Sequence, residues 1–210
     1  MSEPYNRFSG QSPERLTALT DGLFAVAMTL LVLGLRVPLA AADSEHGLWE
    51  GLLKLGPSFA AYLLSFTMLG TFWLAQHTLL TILGKCDRTL TWIHLGFLFV
   101  VTLLPFSAAV LADHVGLRLA IGAYWLNILL LGAGLEWSSR HGRNAFLADD
   151  GTARSRLATF RRRILVAQIL YALAAAICFA STVASVIALA AVQLYFIVSP
   201  RLPAPSARRQ

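Results

Sequence analysis

The chain has 210 residues, of which 57% are hydrophobic and only 13% are charged, with a formal net charge of +6. Soluble domains have about a quarter of their residues charged, and a soluble fold of this length could not bury so much apolar surface. The composition therefore excludes an ordinary soluble protein and predicts an integral membrane protein with one membrane domain. The basic residues lie between apolar segments rather than in one patch, which argues against nucleic acid as a partner.

Six apolar segments, each near the ~20 residues that a bilayer core requires, follow one another along the chain. They predict an all-α membrane protein with six spans, at residues 15–37, 57–83, 89–111, 117–137, 163–181 and 183–198. Residues 47–55 are predicted as a short amphipathic lead-in, and 138–159 as the longest polar connection. The predicted organisation is a tail at 1–14, a membrane domain at 15–199 and a basic tail at 200–210.

The distribution of lysine and arginine predicts the orientation. With the N-terminus in the cytoplasm, 14 of the 17 basic residues lie inside, and an even number of spans returns the C-terminus to the same side. The arginines at 161–163 are interpreted as a headgroup anchor. Cys86 and Cys178 then fall in opposite leaflets, so no disulfide between them is expected. The first segment is expected to be retained rather than cleaved as a signal, because glutamates flank it and Asp21 interrupts it.

The first apolar segment places a stripe of residues on one helical face. At ~100° per residue, Gly22, Val26, Thr29 and Leu33 fall within about 60° of one another, and Leu30 borders them. Two interpretations stay open. The stripe is a packing face of small and branched residues, or several copies of it surround an axis and form a pore with an apolar constriction.

The polar residues inside the spans cluster at one depth. Five of them lie in the predicted cytoplasmic halves of the first three spans: Asp21, Trp73, His77, Trp92 and His94. Polar groups in lipid must pair with one another. The cluster, together with Arg15 at the helix mouth, either joins these helices or forms a pH-sensitive or gating network.

The sequence offers no catalytic constellation. It contains no GxSxG or HExxH motif, no His/Cys cluster of the kind that binds metal, and no paired carboxylates within a span. An enzyme, a resident metal and a cofactor are therefore not expected. The carbonyl-ring sequence TVGYG is also absent, which excludes a potassium filter of that type.

The stretch from Arg15 to Asp21, RLTALTD, followed by GLFAVAMTLL, resembles the helix 1 signature of the endosomal–lysosomal potassium channels of the transmembrane protein 175 family, an arginine, three residues, then Phe-Ser-Asp. Leu19 and Thr20 replace the Phe and Ser. Further matches are Trp73 with His77, and the Trp-Ile-His at 92–94 with the Leu-Pro-Phe at 104–106. Gln76 stands where a second histidine is common in the family, and His94 where asparagine is common.

The resemblance implies a six-helix subunit of a homotetramer in which helix 1 lines the pore. Carried over by position, Val26, Thr29 and Leu33 form the constriction and Thr29 the selectivity layer, with K⁺ passing transiently beside it. The signature residues, Thr20 included, would hold helix 1 in place. The expectation is a passive potassium channel of a prokaryotic plasma membrane. The alternatives are a proton-coupled or proton-leak carrier that uses Asp21, His77 and His94, and a membrane scaffold without transport.

Overall fold

The computed structural model describes residues 13–36, 44–147 and 150–198. Seven α-helices account for most of this part of the chain, and it contains no strand. Their bounds are α1 Pro13–Leu31, α2 Glu45–Lys54, α3 Gly56–Leu83, α4 Arg88–Asp113, α5 Arg118–Phe146, α6 Gly151–Ala176 and α7 Thr182–Val198. Short 3₁₀ turns, Val32–Gly34 and Ile177–Phe179, extend α1 and α6. The predicted all-helical class is confirmed.

Five of these helices, α1, α3, α4, α5 and α6, are long and apolar enough to cross a membrane. The sixth predicted span corresponds to α7, which is apolar but has only 17 residues. At 1.5 Å per residue α7 is about 26 Å long, a little less than the ~30 Å hydrocarbon core. The chain is a multi-pass membrane protein by the length and composition of its helices. Its sixth crossing remains a prediction.

The first predicted span, 15–37, differs from the observed helix at both ends. α1 begins at Pro13, so two residues assigned to the N-terminal tail are already helical. The α-helix ends at Leu31 and tightens into a 3₁₀ turn, so Leu33 lies in that turn rather than in regular helix. Several predicted parts lie outside the described residues. They are the N-terminal tail up to residue 12, residue 37 with part of the connection after α1, and the C-terminal tail from residue 200.

The predicted polar connection at 138–159 is wrong. α5 continues to Phe146 and α6 starts at Gly151, so most of this stretch is helical. Charged residues in and beside this stretch connect the two helix ends: Glu136 on α5 accepts hydrogen bonds from Arg140 one turn on and from Arg161 on α6. Asp150 caps α6 by accepting from the backbone N–H of Ala153. The polar residues here belong to the ends of α5 and α6, which extend beyond the apolar parts of these helices.

The turn between α3 and α4 follows the signals in its sequence. Gly84 ends α3 with φ 59°, a left-handed conformation that glycine adopts without strain, and its N–H reaches the Leu80 carbonyl. Asp87 caps α4 by accepting from Leu90 N–H, and its carboxylate lies 2.8 Å from Nε2 of His141 on α5. Burial raises the pKa of the Cys86 thiol in this turn, so the thiol stays protonated and weakly reactive.

α1 lies on one side of a bundle in which α4 and α5 share the largest interface. It packs chiefly against α4 and α3. The side chains that α1 buries recur every three or four residues, and they are Leu16, Thr20, Phe24, Ala27 and Leu31. The helix is therefore attached by one face, and its other face is left for contacts beyond this chain.

Candidate pore face and its polar supports

The stripe predicted from the sequence lies on the outward face of α1. Val26 is 54% exposed and Leu33 is 62% exposed, whereas Phe24 on the packed face is 2% exposed. Gly22, Thr29 and Leu30 are exposed as well. At ~100° per residue the stripe points about 150° away from the centre of the packed face. The packing within this chain therefore leaves these residues for contact with lipid or with another chain.

Thr29 makes a hydrogen bond that leaves its oxygen available. Its hydroxyl donates to the Val26 carbonyl within the same helix, at 2.8 Å. A threonine hydroxyl has one proton to donate and two lone pairs that can accept or coordinate. Because the proton is committed to the backbone and the side chain is exposed, the lone pairs of Oγ1 are free to meet a partner outside the chain.

Asp21 occupies the flank of α1 and joins it to α3. Its Oδ1 accepts a hydrogen bond from the indole Nε1–H of Trp73 at 2.7 Å. The Trp73 ring also contacts the His77 ring one turn further along, in a tilted arrangement with ring centroids 6.2 Å apart. A carboxylate bonded to an indole fixes the rotation of α1 about its own axis, because the bond requires Asp21 to face α3. This contact is compatible with an outward-facing stripe on the same helix.

A second polar contact, fully buried, joins three helices. Gln76 on α3 donates from Nε2 to Nδ1 of His94 on α4 at 2.6 Å. Nε2 of His94 then lies 2.6 Å from the Thr20 hydroxyl on α1, which itself donates to the Leu16 carbonyl at 2.7 Å. These directions fit together if the His94 proton is on Nε2, an assignment that rests on the bonding pattern. We call Thr20, Gln76 and His94 the buried triad.

The structure divides the single predicted network into two separate contacts. The indole of Trp92 lies on the outside of α4, where the residue is 65% exposed. Arg15 is exposed near the start of α1, and helix geometry puts it within about 20° of Gly22, on the side of the stripe. Gln76 belongs to the buried triad although it was not among the predicted site residues.

A signal for Gln76 was present in the sequence. The two positions that depart from the family pattern in the second and third spans, Gln76 and His94, are bonded to each other. The amide and the imidazole each stand in a place where the family commonly has a different side chain. Together they form a hydrogen bond between α3 and α4.

Three amide side chains within the apolar helices also bond between helices. Asn127 donates to the Val100 carbonyl, and Gln168 donates to the Ile128 carbonyl. Gln193 on α7 accepts from the Tyr171 hydroxyl and donates to Thr71 on α3. Interhelical pairing of this kind is how a membrane bundle satisfies polar side chains away from water. Fold and contacts together define a helical multi-pass membrane protein.

Comparison with known proteins shows which family of membrane proteins the chain resembles. The family model described as "Endosomal/lysosomal potassium channel TMEM175" matches residues 15–105. A potassium channel of Streptomyces collinus is 40% identical over 100 residues, which are 48% of this chain and 48% of that protein. A chicken protein named as an endosomal/lysosomal proton channel is 30% identical over 113 residues, 51% of this chain and 21% of its own length. The match therefore spans about half the length of the Streptomyces relative and about a fifth of the length of the chicken one.

The fold comparison extends beyond the matched sequence. A crystal structure described as a lysosomal potassium-selective channel TMEM175 homologue from Chamaesiphon minutus superposes with a TM-score of 0.78 and 28% identity, over 88% of this chain and 96% of that one. The predicted resemblance is confirmed: the chain is a relative of the transmembrane protein 175 family of ion channels, by sequence over residues 15–105 and by fold over most of its length.

Proposed function

We propose that this chain is the subunit of a homotetrameric potassium channel of a prokaryotic plasma membrane, with both termini in the cytoplasm and α1 lining the pore. One observation carries the proposal: α1 is attached by one face, while the opposite face exposes Val26, Thr29 and Leu33. If the stripe were a packing face within this chain, the chain's own helices would bury it. Four copies around an axis would bury it.

The chemistry of the stripe suggests separate roles for its members. Four Thr29 hydroxyl oxygens at one level would replace part of the hydration shell of K⁺. Val26, Leu30 and Leu33 offer no ligand to a cation, so rings of these side chains would form apolar barriers that open by widening or wetting. Gly22 would keep the cytoplasmic entrance wide. K⁺ is then the permeant ion, and no cofactor is required.

Asp21 is expected to support assembly rather than to select ions. Asp21→Ala removes the acceptor of the Trp73 indole, so we expect a lower yield of the tetramer in size-exclusion chromatography. Asp21→Asn keeps a carbonyl oxygen for the same indole and should restore much of that yield. The channels that do assemble should keep the K⁺/Na⁺ preference of the unmodified protein. A well-assembled Asp21→Ala channel with altered preference would instead place this carboxylate in the pore.

Proton conduction is the second candidate function, because the buried triad offers an imidazole between two hydrogen-bonding side chains and because the chicken relative bears the name of a proton channel. In this alternative, Asp21, His77 and His94 would take up and release protons, either in a leak or in exchange for another ion. A scaffold without transport is the third possibility.

Flux through purified protein in liposomes tests these functions against one another. Vesicles loaded with K⁺ are diluted into K⁺-free buffer, and release is followed with no imposed proton gradient, beside protein-free vesicles and vesicles loaded with Na⁺. Release of K⁺ that exceeds release of Na⁺ supports the channel. Transport that needs a proton gradient supports a carrier, acidification in the absence of K⁺ supports a proton channel, and no flux with intact tetramers leaves the scaffold.

A further inference from the structure

A cavity of about 630 Å³ lies between α3, α5, α6 and α7, away from the stripe on α1. Its size falls within the range of small-molecule sites. Buried apolar side chains form its back wall, among them Phe72, Leu135 and Ile164. Exposed residues form its rim: Leu74, Arg163 and Ile197. The cavity is therefore closed toward the interior of the bundle and open at the outer surface of this chain.

Arg163 brings a positive charge to this rim. Its guanidinium lies over the ring of Phe196, 5.9 Å from the centroid, and donates to the Phe196 carbonyl at 3.4 Å. Among the described residues no carboxylate lies within ion-pair distance of it, whereas the neighbouring Arg161 is paired with Glu136. Arg163 is thus an arginine fixed by an aromatic ring and a carbonyl, with its charge left for an external anion.

Arg163 and the apolar side chains of α6 lie at different heights along the cavity, and polar side chains also line it: Thr71, His77, Thr78 and Gln168. Phe160 and Arg163 lie toward the basic end of α6, and Ile164, Ala167 and Tyr171 follow along the same helix. Arg163 and Tyr171 are eight residues apart, which is about 12 Å of helix. A ligand that fits this arrangement has an anionic head at the arginine and an apolar chain along the wall.

We propose that this cavity binds an anionic phospholipid of the leaflet in which the arginine-rich ends of α5 and α6 lie. The phosphate pairs with the Arg163 guanidinium, and one acyl chain lies along α6 between α3 and α7. Arginine is suited to this role because its planar donors match a phosphate. The site does not depend on ion conduction by α1, so it stands or falls separately from the proposed channel.

Native mass spectrometry of the purified, delipidated protein tests the site, with phosphatidylglycerol and phosphatidylcholine as probes. We expect phosphatidylglycerol to bind at least several-fold more tightly, and Arg163→Gln to remove that preference. Arg162→Gln is the matched control, because it removes the same charge from the next residue, which is exposed and does not line the cavity. Ala167→Phe, which fills the cavity, should reduce binding of both lipids, and Val166→Phe on an exposed face of α6 should not.

Three outcomes would overturn the proposal. Equal losses in the 162 and 163 variants would reduce the site to a general basic belt at the membrane surface. Unchanged phosphatidylglycerol binding in Arg163→Gln, with Ala167→Phe also without effect, would remove the cavity as the site. Inorganic phosphate that competes with phosphatidylglycerol as well as a short-chain phosphatidylglycerol does would show a site for the anion alone. Melting temperatures of the variants identify any loss that comes from misfolding.

Discussion

Leucine in place of His94 should destabilise the protein markedly, although His94 touches neither the stripe nor the aqueous surface. His94 is 0% exposed and Gln76 is 1% exposed, so removing the imidazole leaves the Gln76 amide buried without its acceptor. An unsatisfied buried polar group costs about 1–3 kcal/mol in soluble proteins, and an interhelical hydrogen bond in a membrane protein contributes about 0.6–2 kcal/mol. Thr20 still donates to the Leu16 carbonyl, so the loss falls on the amide.

The double variant Gln76→Leu with His94→Leu should recover much of that loss. Replacing both partners of a buried hydrogen bond by apolar groups of similar shape removes the unpaired polar atoms together, and the net cost is then small. Replacing Gln76 should raise stability for a further reason, because its Oε1 is already buried without a partner in the described part of the chain. The two substitutions are therefore expected to be strongly non-additive.

Thermal unfolding of the purified protein in detergent, for both single variants and the double variant, measures this coupling. His114→Leu serves as a control, since it makes the same substitution in the exposed turn after α4 and should change little. If the double variant is as unstable as the sum of the two singles, Gln76 and His94 do not act as a pair. The cost would then come from lost packing around each side chain.

The turn between α3 and α4 could be predicted from local sequence because local chemistry determines it. Gly84 adopts the left-handed conformation that ends α3, and Asp87 accepts the bond that starts α4. Neither signal depends on distant contacts. The polar stretch at 138–159 was different: the same charged residues are compatible with a loop or with helix ends, and the ion pair of Glu136 with Arg161 between helices favours the second. A pattern read along one segment contains no information about that pair.

The partners of the polar site residues could be predicted only as a group. Depth in the membrane predicted Asp21, Trp73 and His94 near one another, and each of them is hydrogen-bonded to a side chain of another helix. Depth does not specify the direction in which a side chain points around its helix. The prediction therefore placed the Asp21–Trp73 bond and the buried triad in one network. Separating them requires the rotation of α3 and α4, which is determined by packing across the whole bundle.

Val26→Ala and Thr29→Val should have different effects on ion flux, and together they are the sharpest test of the proposed pore. Val26 and Thr29 are about 4.5 Å apart along α1 and about 60° apart around it, so a tilted helix would present them as successive rings. Valine offers no ligand, and a smaller side chain widens the ring. Val26→Ala should therefore raise K⁺ flux and leak several-fold, with a modest change in preference.

Thr29→Val should instead lower K⁺ preference over Na⁺, or the K⁺ current itself, by several-fold. The substitution removes the hydroxyl at nearly constant shape, so the ring keeps its width and loses its oxygen ligands. Thr102→Val is the matched control: Thr102 is exposed on α4, and its hydroxyl donates to the carbonyl three residues earlier, as that of Thr29 does. Val32→Ala makes the same truncation as Val26→Ala at an exposed position about 90° from the stripe.

Flux from proteoliposomes carrying each variant, normalised to the amount of intact tetramer, measures both effects. If α1 lines the axis, Val32→Ala and Thr102→Val leave flux and preference unchanged, while the two stripe variants alter different quantities. If all four variants behave alike, the stripe faces lipid or another helix, and the exposed face of α1 is a packing surface. The separation of conductance from preference is the decisive feature, because a general loosening of the helix bundle would change both quantities together in either variant.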